Sequence, residues 1–373
     1  MSGKTILITG GAGFVGSHSA DALVRRGHKV KIFDNLCAQV HNWQPPSYLA
    51  KEIEFIQGDV RDRAGLSEAV RGAEVIFHLA AAVGVGQSMY QVSDYIAVNT
   101  LGTANLLQAI LDTGSQPEKI VLASSMSIYG EGKYLCGECG EVAPPARPPS
   151  QLEAKHWETA CPHCQRLVLP IATDEHKPLA GTSIYALSKK DQEEMALLFG
   201  RTFRIPVVAL RYFNIYGTRQ ALSNPYTGLI AIFASRLMNG NAPVIFEDGL
   251  QRRDFVNVHD VVEANLLAME KASADGRALN IGSGQAVAIR DIARELASAL
   301  EVDVPFEITD KYRAGDIRHC FADIRSAVRT LGYKPRVHLA DGLRELVGWL
   351  KEQQPTDRVE EAMQRLAVHG LVA

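Results

Sequence analysis

The chain has 373 residues, of which 39 are Lys or Arg and 42 Asp or Glu, for a formal charge of −3; 46% are hydrophobic. At roughly 150 residues per domain this makes two to three domain-sized units, with enough apolar material to bury a core. The charge balance offers no general basic field for nucleic acid, and the longest apolar stretch, Val75 to Gly86, is interrupted by His78 and shorter than the ~20 residues of a membrane-spanning helix. The opening MSGKTILITGGAGFVG lacks the apolar run and cleavage site of a signal peptide, so a cytoplasmic protein with no nucleic-acid or membrane partner is expected.

Taken in chain order, short β-branched runs alternate with helical patterns. Thr5–Thr9 is followed by a helix from Gly13 to about Arg26, then Val30–Phe33, Ile53–Gln57, a short helix near Ala64–Val70, and Val75–Leu79. A long helix over Asp94–Leu111 precedes Ile120–Ala123, a helix over Ser183–Phe203, and Val207–Leu210. Unbroken apolar strands separated by helices predict a doubly wound α/β fold with a parallel sheet covered on both faces. The pattern loosens beyond Tyr216, as a smaller mixed α/β domain would, and Asp357–Val368 reads as a terminal surface helix. The expected division is 1–215, then 216–350 with 256–282 returning to the first domain, then 351–373.

Residues 131–170 break the rhythm. They carry the proline-rich Ala143–Ser150 and two CxxC pairs, Cys136 with Cys139 and Cys161 with Cys164. Two such knuckles can deliver four thiolates tetrahedrally, which suits a structural Zn²⁺. Iron is the chemical rival, and unpaired thiols or a redox pair are the metal-free alternatives. The insert is too short for a core of its own, so the metal would supply folding energy. Its place between Ser125 and Tyr185 predicts a position near the active site, as a lid or a subunit contact.

Gly10, Gly13 and Gly16 lie in TGGAGFVG, directly after the first strand and opening the first helix. Such glycines let backbone approach a pyrophosphate, and the helix N-terminus supplies free N–H groups. Asp34 ends the second strand, where a carboxylate accepts from ribose hydroxyls and repels a 2′-phosphate, so NAD is favoured over NADP. Asp59, in GDVRD, either faces the adenine or serves as a turn carboxylate. Tyr185 and Lys189 share one face of a helix, and a neighbouring cation lowers a phenol's pKa, as general-base work requires. Ser124 and Ser125 end the fifth strand, on the edge where open α/β sheets bind ligands. Gln87 and Ser88 are read as sugar-side contacts or as loop caps.

The order of TGGAGFVG, Asp34, GDVRD, HLAA (His78–Ala81), Asn99, SSMSIYG (Ser124–Gly130), YALSK, RYFNIYG (Arg211–Gly217), RRDFVNVHD (Arg252–Asp260), NIGSG (Asn280–Gly284) and RAGDIR (Arg313–Arg318) resembles the extended short-chain dehydrogenase/reductases, specifically their nucleotide-sugar epimerases and dehydratases. The resemblance implies NAD contacts at Gly10, Gly13, Phe14, Val15, Gly16, Asp34, Asn35, Asp59, Val60, Leu79, Ala80, Ala81, Asn99, Tyr185 and Lys189. It implies Tyr185 as general base and acid, Lys189 as its electrostatic partner, and Ser125 on the reacting sugar oxygen. Ser127 and Asn214 would contact the substrate, Arg253 and Arg313 its diphosphate, and Asp316 its nucleotide ribose. Relatives that dehydrate carry an acidic residue two before Tyr129. Met126 and Ser127 supply none, which favours 4-epimerisation through a 4-keto sugar with NAD regenerated each turnover. Which sugar is epimerised stays open among the 4-epimerases, and a non-catalytic NAD-binding scaffold is the alternative from another class, opposed by the intact Ser125, Tyr185 and Lys189 set. A homodimer through the helices near Asp94–Leu111 and Ser183–Phe203 is implied by the same resemblance.

Overall fold

In the computed structural model, which describes residues 3–303 and 306–373, the apolar runs become one seven-stranded parallel sheet. Its strands are β1 (Thr5–Thr9), β2 (Lys29–Asp34), β3 (Glu54–Gln57), β4 (Val75–His78), β5 (Lys119–Ser125), β6 (Val207–Tyr212) and β7 (Arg277–Ile281). Their spatial order is β7-β6-β5-β4-β1-β2-β3, so the direction of winding reverses between β1 and β4. In register, Thr9 lies between Phe33 and His78, and the crevice outside these carboxyl ends is where such a sheet receives ligands.

The principal helices are α1 (Phe14–Arg25), α2 (Arg63–Val70), α3 (Gly102–Thr113), α4 (Ile184–Phe203), α5 (Leu229–Met238), α6 (Val258–Glu270), α7 (Ile289–Leu300), α8 (Leu339–Leu350) and α9 (Val359–Val368). Alternation along β1 sends Ile6 and Ile8 toward α1 and α6, and Leu7 toward α2, α3 and α4. A third core, built from Phe233 on α5, Ile292 and Leu296 on α7 and Leu346 on α8, lies beyond the sheet.

The continuous helix expected over Asp94–Leu111 is not uniform. A short helix at Val92–Tyr95 leads into a π-wound stretch, Ile96–Leu101, before α3 begins. The wider winding accompanies a wholly buried Asn99, whose amide bonds both the N–H (2.8 Å) and the C=O (3.1 Å) of Ala82. Helical spacing alone cannot reveal this, because it follows from a partner in another segment.

The insert forms a three-stranded antiparallel sheet from Lys133–Cys136, Gly140–Val142 and Leu169–Ile171, around a small core of Tyr134, Cys136, Val142, Cys161 and Val168. None of residues 131–170 lines the cavity described below, so the lid expected of this segment is not found. The expectation for the last helix also changes. Ala362 and Leu366 of α9 are buried, and Leu366 packs over Gly86.

A buried ion pair joins three of these elements. Arg211 on β6 donates to Glu193 on α4 through Nε (3.0 Å) and Nη2 (2.6 Å), while Ser124 at the end of β5 donates to the same carboxylate at 2.6 Å. Removing one partner of such a pair leaves an uncompensated buried charge and costs about 3–5 kcal/mol. Arg211→Met should therefore lower the unfolding free energy by about 3 kcal/mol, read from denaturant titration; a loss below about 1 kcal/mol would contradict this account.

Candidate active site

The glycine loop closes the first turn against the sheet. Gly10 has φ +70°, and a Cβ there would stand 2.7 Å from the Ala80 backbone; one on Gly16 would stand 2.3 Å from the Gly10 carbonyl. Gly13 caps α1 without a side chain, leaving the first-turn N–H groups open toward the crevice. Asp34 accepts from Ala12 N (3.0 Å) and Leu36 N (2.9 Å), so its carboxylate shapes the loop as well as facing the crevice. These features fit a dinucleotide.

The loop opens into a cavity of about 800 Å³ that runs on to the region between the sheet and the outer helices. Among the expected cofactor residues, Gly10, Gly13, Phe14, Val15, Gly16, Asp34, Asn35, Val60, Leu79, Ala80, Ala81, Tyr185 and Lys189 line it. Ser125, Ser127, Gln87, Asn214, Arg253, Arg313 and Asp316 line it too.

Three expected contacts lie off the cavity. Asp59 is a turn carboxylate: Arg61 folds back onto it through Nε (2.9 Å) and Nη2 (2.8 Å), Asn35 donates at 2.8 Å, and the Arg61 bonds lead in bringing its pKa to about 2. It thereby holds Asn35 and Arg61, which do face the cavity. Asn99 braces Ala82 and donates to Ser188 Oγ at 2.9 Å. Ser88 is wholly buried, and its hydroxyl accepts from the N–H of Tyr185 at 3.0 Å, so it sets the start of α4 rather than touching a sugar.

Ser183 caps α4 through a bond from Ala186 N (3.1 Å), and the first turns of that helix bring Tyr185 and Lys189 to the cavity. Ser125 caps the 3₁₀ turn Met126–Tyr129, accepting from Ser127 N (3.2 Å) and Ser127 Oγ (2.9 Å). The ammonium of Lys189 donates to Ala123 O and Gln192 Oε1, both at 2.6 Å. Behind it runs a buried polar chain. Gln192 donates to Thr103 Oγ1 (2.6 Å), Thr103 Oγ1 is 2.9 Å from His78 Nε2, and His78 Nδ1 is 2.7 Å from Thr9 Oγ1. Burial, aided by the Lys189 charge, holds His78 down to about 3, so it is neutral. Gln192 and Thr103 are positioning groups that no motif in the sequence announces.

The electrostatics differ from the expectation for Tyr185. Burial raises its pKa, opposed by a hydrogen bond with Ser125, and Lys189 is itself pushed down to about 7 by desolvation despite Glu193. Loss of water around the phenol outweighs the Ser125 hydrogen bond and sets the direction.

On the substrate side, strand Asn214–Tyr216 pairs in parallel with Phe255–Asn257. Asn214 lines the cavity, and its Oδ1 is buried without a hydrogen-bond partner. The Arg253 guanidinium donates to three carbonyls, those of Arg252 (2.9 Å), Arg318 (2.9 Å) and Ile317 (2.6 Å), and no carboxylate neutralises it by direct contact among the described residues. Arg313 lies over the Phe246 ring and donates to Asp316 through Nε (3.0 Å) and Nη2 (2.8 Å). These two residues, expected to serve diphosphate and ribose separately, face each other because a tight turn with Gly315 at φ +79° brings positions three apart together. Residues that the motifs do not mark complete the wall: Tyr95, Phe246, and Val359, Ala362, Met363 and Leu366 of α9.

Four sulfur atoms, those of Cys136, Cys139, Cys161 and Cys164, lie within 4.8 Å of one another, and all four cysteines are free of disulfides. Tetrahedral thiolates around an ion with ~2.3 Å bonds stand about 3.8 Å apart, so the set fits a four-coordinate metal.

Residues 6–151 and 161–282 match the sequence profile described as the NAD dependent epimerase/dehydratase family. The dTDP-L-rhamnose 4-epimerase of Burkholderia thailandensis is 35% identical over 95% of this chain and 96% of its own. A putative UDP-glucose 4-epimerase of Methanocaldococcus jannaschii is 33% identical over 94% of this chain and 100% of its own. The crystal structure of UDP-glucuronic acid 4-epimerase from Bacillus cereus, in complex with UDP-glucuronic acid and NAD, superposes with a TM-score of 0.76 at 26% identity over 93% of this chain and 99% of that one. No helix among the described residues is long and apolar enough to cross a membrane. By sequence and by fold the chain belongs to the NAD-dependent epimerase/dehydratase family, and it is an enzyme of the isomerase class.

Proposed function

We propose that this chain is an NAD-dependent 4-epimerase of nucleotide-diphosphate sugars, interconverting dTDP-L-rhamnose and dTDP-6-deoxy-L-talose. The observation that carries the reading is one cavity holding Ser125, Tyr185 and Lys189 between the glycine loop and the arginines Arg253 and Arg313, with no carboxylate at Met126 or Ser127. Gly10, Gly13, Gly16 and Asp34 would hold the dinucleotide, which when bound takes up and returns hydride at the sugar C4. Tyr185 Oη accepts the C4 hydroxyl proton and gives it back, with Ser125 Oγ holding the same oxygen. Lys189, anchored on Ala123 O and Gln192, would be the electrostatic partner of the phenol. Asn214, Arg253 and Arg313 hold the diphosphate, so the sugar is free to turn over within the cavity.

The wall contributed by α9 favours a 6-deoxy sugar. Val359, Ala362, Met363 and Leu366 are apolar, matching a methyl group better than a hydroxymethyl or carboxylate. The Burkholderia relative points the same way. UDP-glucose or UDP-N-acetylglucosamine is the second reading, favoured by the methanogen relative.

Cys136, Cys139, Cys161 and Cys164 would hold a structural Zn²⁺ that supplies folding energy to the insert. A homodimer would form through α4 and the Val92–Thr113 segment, where Ile96, Leu101, Leu187 and Leu198 are exposed.

Product analysis on dTDP-L-rhamnose and UDP-sugars decides the substrate: turnover of dTDP-L-rhamnose is expected, and turnover of UDP-sugars alone would transfer the assignment to the second reading. Deuterium at C4 should remain on the sugar; exchange with solvent would exclude return of the same hydride. Tyr185→Phe should lower kcat by about 10³ while bound NAD stays constant. Metal analysis should find one zinc per chain, lost in Cys161→Ser together with thermal stability; a metal-free wild type of full stability would refute the structural ion.

A further inference from the structure

The insert reaches the substrate side from behind. Glu131, at its start, accepts from the backbone N–H of Arg318 and of His319, each at 2.8 Å. Glu158 accepts from Arg318 Nε (3.0 Å) and Nη2 (2.5 Å). Arg147 donates through Nη2 to Glu247 (2.8 Å) and to the carbonyl of Asp316 (3.3 Å), and through Nη1 to Trp157 O (2.9 Å). Arg318, with no exposed surface, is shared between Glu158 of the insert and Glu247 and Asp248 of the outer domain. The segment so gripped follows Arg313 and ends the turn that carries Asp316, both of which face the cavity. Its carbonyls at Ile317 and Arg318 hold the Arg253 guanidinium. Every cationic group placed toward the diphosphate is thus attached to a segment whose far side is bonded by the insert.

We propose that the cysteine-bearing insert is a brace for the nucleotide-binding turn, with Arg147 and Glu158 as positioning residues that act through Asp316, Ile317 and Arg318. The ligand that feels the brace is the nucleoside diphosphate part of the substrate, so the inference rests on the nucleotide-sugar reading above. Charge-assisted bonds of this kind are directional, and losing one lets the turn relax away from the position that binds phosphate. Among the described residues no hydrogen bond joins the insert to Ser125, Tyr185 or Lys189, so the sugar and nicotinamide ends would be untouched.

The test uses the full chain and free dTDP and UDP, titrated by calorimetry. Arg147→Met should weaken binding of the preferred nucleotide about tenfold, and Glu158→Gln, at a half-exposed position that spares folding, about threefold. KM for the nucleotide sugar should rise by the same factors, with kcat and bound NAD within about twofold of wild type. Arg147→Lys, which keeps a charge for Glu247, should recover part of the loss. Nucleotide affinity unchanged in Glu158→Gln and in any folded Arg147 variant overturns the brace alone, as does a fall in kcat at constant affinity. A wild type that binds neither nucleotide overturns the nucleotide reading and the brace with it.

Discussion

The pairing of Glu193 with Arg211 decides how far apart Ser125, Lys189 and Asn214 stand. Glu193 lies one helical turn beyond Lys189 on α4, Arg211 opens the RYFN segment that ends in Asn214, and Ser124 bonds the same carboxylate beside Ser125. Three segments distant in sequence are therefore locked at one point, buried and fully bonded. Arg211 also donates to the Tyr129 hydroxyl at 2.7 Å, which in turn donates to Asn280 at 2.7 Å, so the knot extends to β7. A low-dielectric site strengthens each of these bonds and penalises any partial arrangement.

From this knot the chemistry of the cavity follows in layers. The chain from Gln192 on α4 through Thr103 on α3 to His78 and Thr9 on the adjacent strands β4 and β1 holds the Lys189 side chain without a direct counter-ion among the described residues. Burial then acts on both members of the pair in opposite senses: it raises the phenol of Tyr185, away from the range a general base needs, and lowers the ammonium of Lys189 to about 7. Ser125 opposes the first effect through its hydrogen bond, which makes it part of the tuning of the phenol.

Substrate-side charge is organised differently. Among the described residues Arg253 has carbonyl partners alone, whereas Arg313 is balanced by Asp316 and flanked by Phe246. Both belong to a region supported from outside by the insert and from the other side by the C-terminal residues, since Ala314 N donates to Leu371 O at 2.9 Å and Tyr312 N to Ala373 O at 2.9 Å. The two parts of the chain that depart most from an ordinary doubly wound fold thus converge on one turn.

Much of this was legible in the residues. Strand runs such as TILIT and VIFH, the glycines after β1, and Tyr185 with Lys189 are local patterns whose meaning depends on period and spacing, and these survive translation into three dimensions unchanged. The paired CxxC motifs likewise announce their own convergence. What the sequence could not determine are contacts made across distance. The turn role of Asp59 depends on Arg61 folding back, and the buried place of Ser88 on the N–H of Tyr185. The π-wound stretch depends on Ala82, and the apolar wall from α9 on packing over Gly86. The grip of the insert on Arg318 joins residues more than a hundred positions apart. Local propensity is written in neighbours along the chain; only tertiary packing chooses which distant partner takes each remaining donor and acceptor, because that choice is set by burial and not by spacing.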